Sequence, residues 1–282
     1  TEELTLFMDI GTNAEIVIGN KDWLACASCS AGPAFEGGGV KFGMRAAKGA
    51  IEDFSMDPVS FEPMNITIGN VRPKGICGSG LIIIAATMFE MGVIDNRGKF
   101  NRDLNTSRIR ETNGIYEYVL VWKQETQIDR DITLTEPDLD NLIRAKGAIY
   151  SGCMTLLEEV GLKIKDIDRI YLAGGFGSYV DLEKAMTIGL LPEIDADKVT
   201  FIGNGSLLGA KMTLGSVAAV VLGGTALSGG RGNPFGSIFG AVILGLIGSV
   251  VFFAGVPFEY QNLVQGLIVL AALAGGVTVA RR

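Results

Sequence analysis

The chain has 282 residues, a net charge of −7 and no histidine, which excludes Ser-His-Asp and Cys-His catalysis, imidazole proton shuttling and His-ligated zinc. The charge is unevenly laid out. The last 70 residues hold only Arg231, Glu259, Arg281 and Arg282, a net of +2, while the front part carries 21 basic and 30 acidic residues, a net of −9. That acidity argues against nucleic acid as a partner, because a phosphate backbone needs a basic face.

Thr1-Glu2-Glu3-Leu4 runs straight into an apolar strand, so the chain reads as beginning in mid-fold with a segment upstream. Leu4 to Ile10 and Ala14 to Ile18 are apolar runs separated by Gly11-Thr12-Asn13, the pattern of a β-hairpin with a tight turn. Cys26-Ala-Ser-Cys29 follows; no second Cys pair accompanies it, so small buried thiols are favoured over a cluster or redox pair. A glycine-rich loop covers Ser30 to Gly39. Gly78-Ser79-Gly80 then opens an apolar helix with the stripe Leu81, Ile84, Ala85 and Met88, stopped by Gly92. Residues 93 to 134 are polar, with short strand-like runs such as Tyr118 to Trp122.

The clearest helix is predicted over Pro137 to Val160. Thr135 and Asp138 make a capping-box pattern, and Pro137 stands in the first turn, where it loses no hydrogen bond. Lys146 falls on its apolar face. A buried ammonium is expensive unless it meets an anion or polar ligand, which marks a site edge; a lysine snorkelling past the core explains it equally well. A strand over Arg169 to Ala173, a glycine turn, a helix over 182 to 190 capped by Asp181, and a strand over Val199 to Ile202 complete an alternating α/β pattern. Beyond 213 the composition changes. Pro234 to Pro257 and Tyr260 to Ala280 carry no charged residue, and each run has about the length of 20 residues that crosses a bilayer. Two domains are therefore expected, 1–213 and 214–282, the second a two-helix transmembrane hairpin. With no N-terminal signal peptide and with Arg231, Arg281 and Arg282 flanking the pair, the front domain is expected in the cytoplasm and the hairpin in the inner membrane.

Two glycine motifs carry chemistry. In Asp9-Ile10-Gly11-Thr12-Asn13 a tight turn exposes backbone N–H groups to an anion, glycine lets a phosphate approach, and Asp9 is placed to hold a hydrated magnesium ion or orient an attacking water. An ordinary β-turn has the same composition. In Leu172-Ala173-Gly174-Gly175-Phe176-Gly177 the double glycine permits close approach of a ribose or base, against which Phe176 can lie; an ordinary strand-to-helix turn competes. The two motifs stand in order, roughly 160 residues apart.

That order resembles the second half of the actin-like ATPase fold. The match is closer still to the C-terminal region of the reductive activators of corrinoid proteins. It is carried in sequence by Asp9-Ile-Gly-Thr-Asn-Ala-Glu15-Ile, Ala31-Gly-Pro-Ala-Phe-Glu36-Gly, Gly43-Met-Arg45-Ala, Pro73-Lys-Gly-Ile-Cys-Gly-Ser-Gly80, Ala145-Lys-Gly-Ala-Ile-Tyr150 and Leu172-Ala-Gly-Gly-Phe-Gly177. The resemblance implies an α/β fold, an actin-like (ribonuclease H-like) half with a mixed sheet and flanking helices. It implies that ATP drives an electron from an iron–sulfur centre onto a corrinoid protein, with a homodimer compatible. By resemblance Asp9, Gly11, Thr12 and Asn13 hold phosphates and magnesium, and Gly174, Gly175 and Phe176 hold the nucleoside with Lys146 beside it. The loops Ala31 to Gly37 and Pro73 to Gly80 become candidates for the cleft wall or the corrinoid-protein contact. The family's iron–sulfur module and first phosphate hairpin are expected upstream of this sequence. The stretch Ala218 to Gly232 with the two apolar runs resembles the end of ribose-type permeases of ATP-binding-cassette transporters. A transport component or chimeric reading frame with a passenger ATPase-like domain is thus an alternative, as is another actin-like kinase or dehydratase activator.

Overall fold

The computed structural model describes residues 1–174 and 180–205, together with Val242, Ile243, Leu246 and Leu267. The chain divides into two compact units, residues 1–205 and 206–282; apart from those four positions, the second unit lies outside the described residues, and so does the boundary expected at 213.

The first unit begins with β1 (Thr5–Ile10), β2 (Asn13–Gly19) and β3 (Leu24–Ser30), followed by one 3-10 turn over Ala34–Glu36. Next come β4 (Ala50–Met56), β5 (Pro63–Thr67), β6 (Gly75–Ile76) and α1 (Gly78–Glu90). Then follow β7 (Ile109–Thr112), β8 (Ile115–Val121), β9 (Ile132–Thr135), α2 (Glu136–Glu159), β10 (Arg169–Ala173), α3 (Leu182–Thr187) and β11 (Val199–Gly203). The principal sheet has the order β11-β10-β1-β2-β3. β1 pairs in parallel with β10, and β10 with β11, while β1, β2 and β3 form an antiparallel meander. The mixed sheet with flanking helices is the actin-like arrangement expected from the sequence.

Period-two alternation fixes which face of this sheet is buried. Leu6, Met8 and Ile10 on β1 and Ala14, Ile16 and Ile18 on β2 are each at most 2 % exposed. α2 packs on that face because Gly152 has no side chain: a Cβ there would stand 3.0 Å from Cys29 Sγ and 3.5 Å from Ile16 Cδ1. Ile149, Cys153, Leu156 and Leu157 fill the contact from the helix side, each large apolar side chain contributing about 1.5–3 kcal/mol by leaving water. The expected capping box forms. Thr135 Oγ1 accepts from the Asp138 amide at 3.2 Å and Asp138 Oδ2 accepts from the Thr135 amide at 2.9 Å.

Three sequence expectations are corrected. The thiols of Cys26 and Cys29, expected buried, are not both so: they lie in β3, where an odd spacing sends them to opposite faces, Cys26 exposed and Cys29 half-buried under α2. α3 ends at Thr187, short of 190, because Gly189 turns at φ +69. The third correction concerns the membrane hairpin and the inner-membrane placement: among the described residues no helix is long and apolar enough to cross a membrane. α1, the most apolar, has 13 residues and so spans only about 20 Å of a core about 30 Å thick. α2 has 24 but carries Asp140, Arg144, Lys146, Glu158 and Glu159 along its length.

Candidate functional site

β1, β10 and β11 run in parallel and end at the same edge of the sheet, where α/β folds place ligands. Asp9 pairs with Ala173 in the register, so the turn after Ile10 and the turn after Ala173 stand side by side. Gly174 adopts φ +105, and its amide donates to the Gly203 carbonyl at 2.8 Å. A Cβ on Gly174 would stand 3.0 Å from the Ile10 carbonyl carbon, closer still to its oxygen, and 3.2 Å from Asp9 Oδ1. A Cβ on Gly205 would stand 3.4 Å from Asp9 Oδ2 and 2.9 Å from the Ala173 Cβ. The Asp9 carboxylate, 9 % exposed, is thus bracketed by two glycines from two other strand ends.

The hairpin turn differs in detail from the expectation of consecutive free amides. The Gly11 N–H donates to the Asn13 carbonyl at 2.9 Å, so what the turn offers an anion must come from Thr12 and Asn13. Gly11 still leaves room: the nearest atoms to a Cβ there are Asn13 O at 3.6 Å and Glu36 Oε1 at 3.7 Å. Thr12 Oγ1 donates to Glu36 Oε1 at 3.3 Å, and the Thr12 carbonyl accepts from the amides of Ala31 and Gly32. Glu36 is therefore a second carboxylate at the turn, singled out in sequence only as part of the Ala31 to Gly37 loop. Gly205 was not a site residue from sequence either; its only signal is the strand-Gly203-Asn204-Gly205 pattern.

Lys146 occupies a different neighbourhood. It lines a crevice of about 300 Å³ with Ala85 and Phe89 of α1, Leu142 and Ile143 of α2, and Ile188, and a second of about 340 Å³ with Tyr150, Ser151 and Glu193. Neither is lined by Asp9 or Gly174 among the described residues. Burial lowers the Lys146 ammonium below its ordinary value. Gly175 and Phe176 lie outside the described residues.

A polar cluster away from the turn was not visible in sequence. Glu117 on β8 is 2 % exposed and accepts from Lys41 Nζ at 2.7 Å, Thr133 Oγ1 at 2.9 Å, Arg110 Nε at 3.0 Å and Thr112 Oγ1 at 3.0 Å. Burial pushes its carboxyl up, but the four donors outweigh this and hold it at about 2. Among the described residues no three His, Cys, Asp or Glu side chains gather as a metal cage.

Comparison with known proteins agrees with this fold. The family described as the C-terminal domain of RACo, the ASKHA domain, matches residues 3–221. The corrinoid activation enzyme RamQ of Eubacterium limosum is 39% identical over 223 residues, 76% of this chain and 37% of that protein. A Co(II) methylated amine-specific corrinoid protein reductase of Methanosarcina barkeri is 32% identical over 227 residues, 73% of this chain and 38% of that protein. A solved structure of a reductive activator for corrinoid, iron-sulfur protein superposes with a TM-score of 0.72 at 51% identity, covering 76% of this chain and 34% of that one. The chain thus spans little more than a third of the length of these relatives. A short C-terminal segment resembles ribose-type permeases: 66 residues are 41% identical to the probable ABC transporter permease YphD of Escherichia coli, 23% of this chain and 20% of that protein. With the matched family region covering residues 3–221, the chain belongs to the family of the C-terminal ASKHA domain of RACo.

Proposed function

We propose that the front unit is the nucleotide-binding module of a reductive activator, using ATP to drive electron transfer onto a corrinoid protein. The observation that carries this reading is the meeting of the two glycine corners around Asp9 at one sheet edge. In this reading Thr12 and Asn13 hold the phosphates, Gly11 leaves space for them, and Gly174, Gly175 and Phe176 take the nucleoside with Lys146 beside it. The residues suit magnesium: Asp9 supplies one carboxylate, and the ion keeps waters and phosphate oxygens as its remaining ligands, its usual mode. Bound ATP supplies the free energy of phosphoryl transfer. The chain's own residues position it, with Asp9 placed to orient the water that accepts the phosphoryl group, and the iron–sulfur electron source sits on another module of the activator.

Asp9→Asn tests the assignment. It removes a charge at a strand end without removing core area, so magnesium-ATP affinity by calorimetry should fall about tenfold or more while the thermal midpoint stays put. Equal affinity for both proteins would sink the assignment. A second reading, a transport component carrying the front unit as passenger, rests on the 66-residue permease-like segment alone. It requires association with an ATP-binding-cassette subunit that substitutions in 217–232 abolish.

A further inference from the structure

The front unit compensates many of its cations. Lys41 meets Glu117, Arg108 meets Glu62, Arg110 meets Glu117 and Asp131, and Lys184 meets Glu90. Two loops gather cations that are not paired in this way. Residues 43–49 and 68–75 contain Arg45, Lys48, Arg72 and Lys74 and no acid. All four side chains are exposed, and none has an ion-pair partner among the described residues.

The loops are tied to each other, so the four cations stand on adjoining loops. The Lys74 amide donates to the Gly49 carbonyl at 2.7 Å, the Gly49 amide to the Ile68 carbonyl at 2.9 Å, and the Met44 amide to the Ile76 carbonyl at 2.9 Å. The lysine stems are laid down on glycines: a Cβ on Gly69 would stand 3.1 Å from Lys48 Cγ, and one on Gly49 3.2 Å from Lys74 Cγ. Seated stems lose less freedom on binding than free ones. Four like charges on adjoining loops repel one another, and an external anionic surface relieves that repulsion.

We infer that the loops 43–49 and 68–75 form a docking face for a protein presenting an acidic surface. A nucleic acid or an anionic membrane, charged over a wide area, is repelled by a chain of net charge −7. A protein with a local acidic patch can bring its charges within a Debye length of about 8 Å of these four cations without approaching the rest of the chain as closely. The face also adjoins the phosphate turn. A Cβ on Gly37 would stand 2.9 Å from Met44 Cα, beside Arg45, and the preceding Glu36 accepts from Thr12 Oγ1. A docked partner therefore sits beside the strap that holds the turn. The partner's identity as the corrinoid protein rests on the function proposed above; the docking face does not.

The test immobilises the full chain and titrates purified corrinoid iron–sulfur protein at low and high salt. Wild type is compared with R45E/K48E/R72E/K74E and with K163E/K165E, exposed lysines elsewhere. The fourfold variant should lose at least about tenfold in affinity and most of its salt dependence, with the control within about twofold. Thermal melting checks the fold, and R45E/K48E and R72E/K74E are measured separately if the fourfold variant fails to fold. Wild-type affinity in the folded variants overturns the inference. If wild type does not bind the corrinoid protein, the functional reading fails and poly-glutamate becomes the probe. Binding by wild type that the reversed charges abolish supports the docking face, and no binding overturns it.

Discussion

Replacing Gly174 by alanine places a methyl where backbone already stands. The new carbon would lie 3.0 Å from the Ile10 carbonyl carbon and 3.2 Å from Asp9 Oδ1, at a residue with φ +105. A left-handed L-residue costs about 1–2 kcal/mol, and forcing a methyl into filled space about 1–3 kcal/mol, so Gly174→Ala should destabilise by about 3 kcal/mol. Followed by urea unfolding of the full chain, the midpoint should fall by about 1 M or more. Gly11→Ala is the matched contrast. Its Cβ meets nothing nearer than 3.6 Å, so stability should hold within about 0.5 kcal/mol while magnesium-ATP affinity drops, because the methyl occupies the approach of a phosphate. An unchanged midpoint in Gly174→Ala would refute the close approach of the two strand ends. Undiminished binding in Gly11→Ala would remove the phosphate from the turn.

Acid stability should report Glu117. Its folded pKa of about 2 lies below an ordinary carboxyl near about 4.3, so its contribution is present above pH 4.5 or so and drains away as pH falls towards 2. The shift corresponds to about 3 kcal/mol, reduced to about 1–2 kcal/mol because Lys41 and Arg110 are 46% and 38% exposed. Glu117→Gln should flatten the acid limb of the stability profile; parallel profiles would refute the network's role. Thiol alkylation should separate the cysteines. Exposed Cys26 reacts first, whereas burial pushes the Cys153 thiol up to about 11, and equal labelling rates would contradict the packing of α2 on β3.

Elements with a local signal were legible. The β1-turn-β2 hairpin announces itself by two apolar runs around Gly11, α2 by Thr135, Pro137 and Asp138 at its start, and β10 by an apolar run before a double glycine. β3 was not, because Leu24-Ala-Cys-Ala-Ser-Cys-Ser30 is built of small residues that become a strand by pairing with β2, and a sequence shows two thiols there before it shows a strand. β8 was only half seen. Glu117 looks like a solvent residue until Lys41, 76 positions away, and Thr133 close over it. Glu36 read as part of a glycine-rich loop until the strap after β3 folded back on Thr12.

The residues alone determined the local pieces, since alternation, capping and glycine turns act between neighbours a few positions apart. They also determined the acidic front part and the absence of imidazole chemistry. Which strand lies against which was decided only in three dimensions. Placing Asp9 beside Ala173 needs β1 and β10 to pair in parallel across most of the chain. That pairing is selected by burial of the whole sheet under α2, a sum over distant contacts that no short stretch of sequence contains.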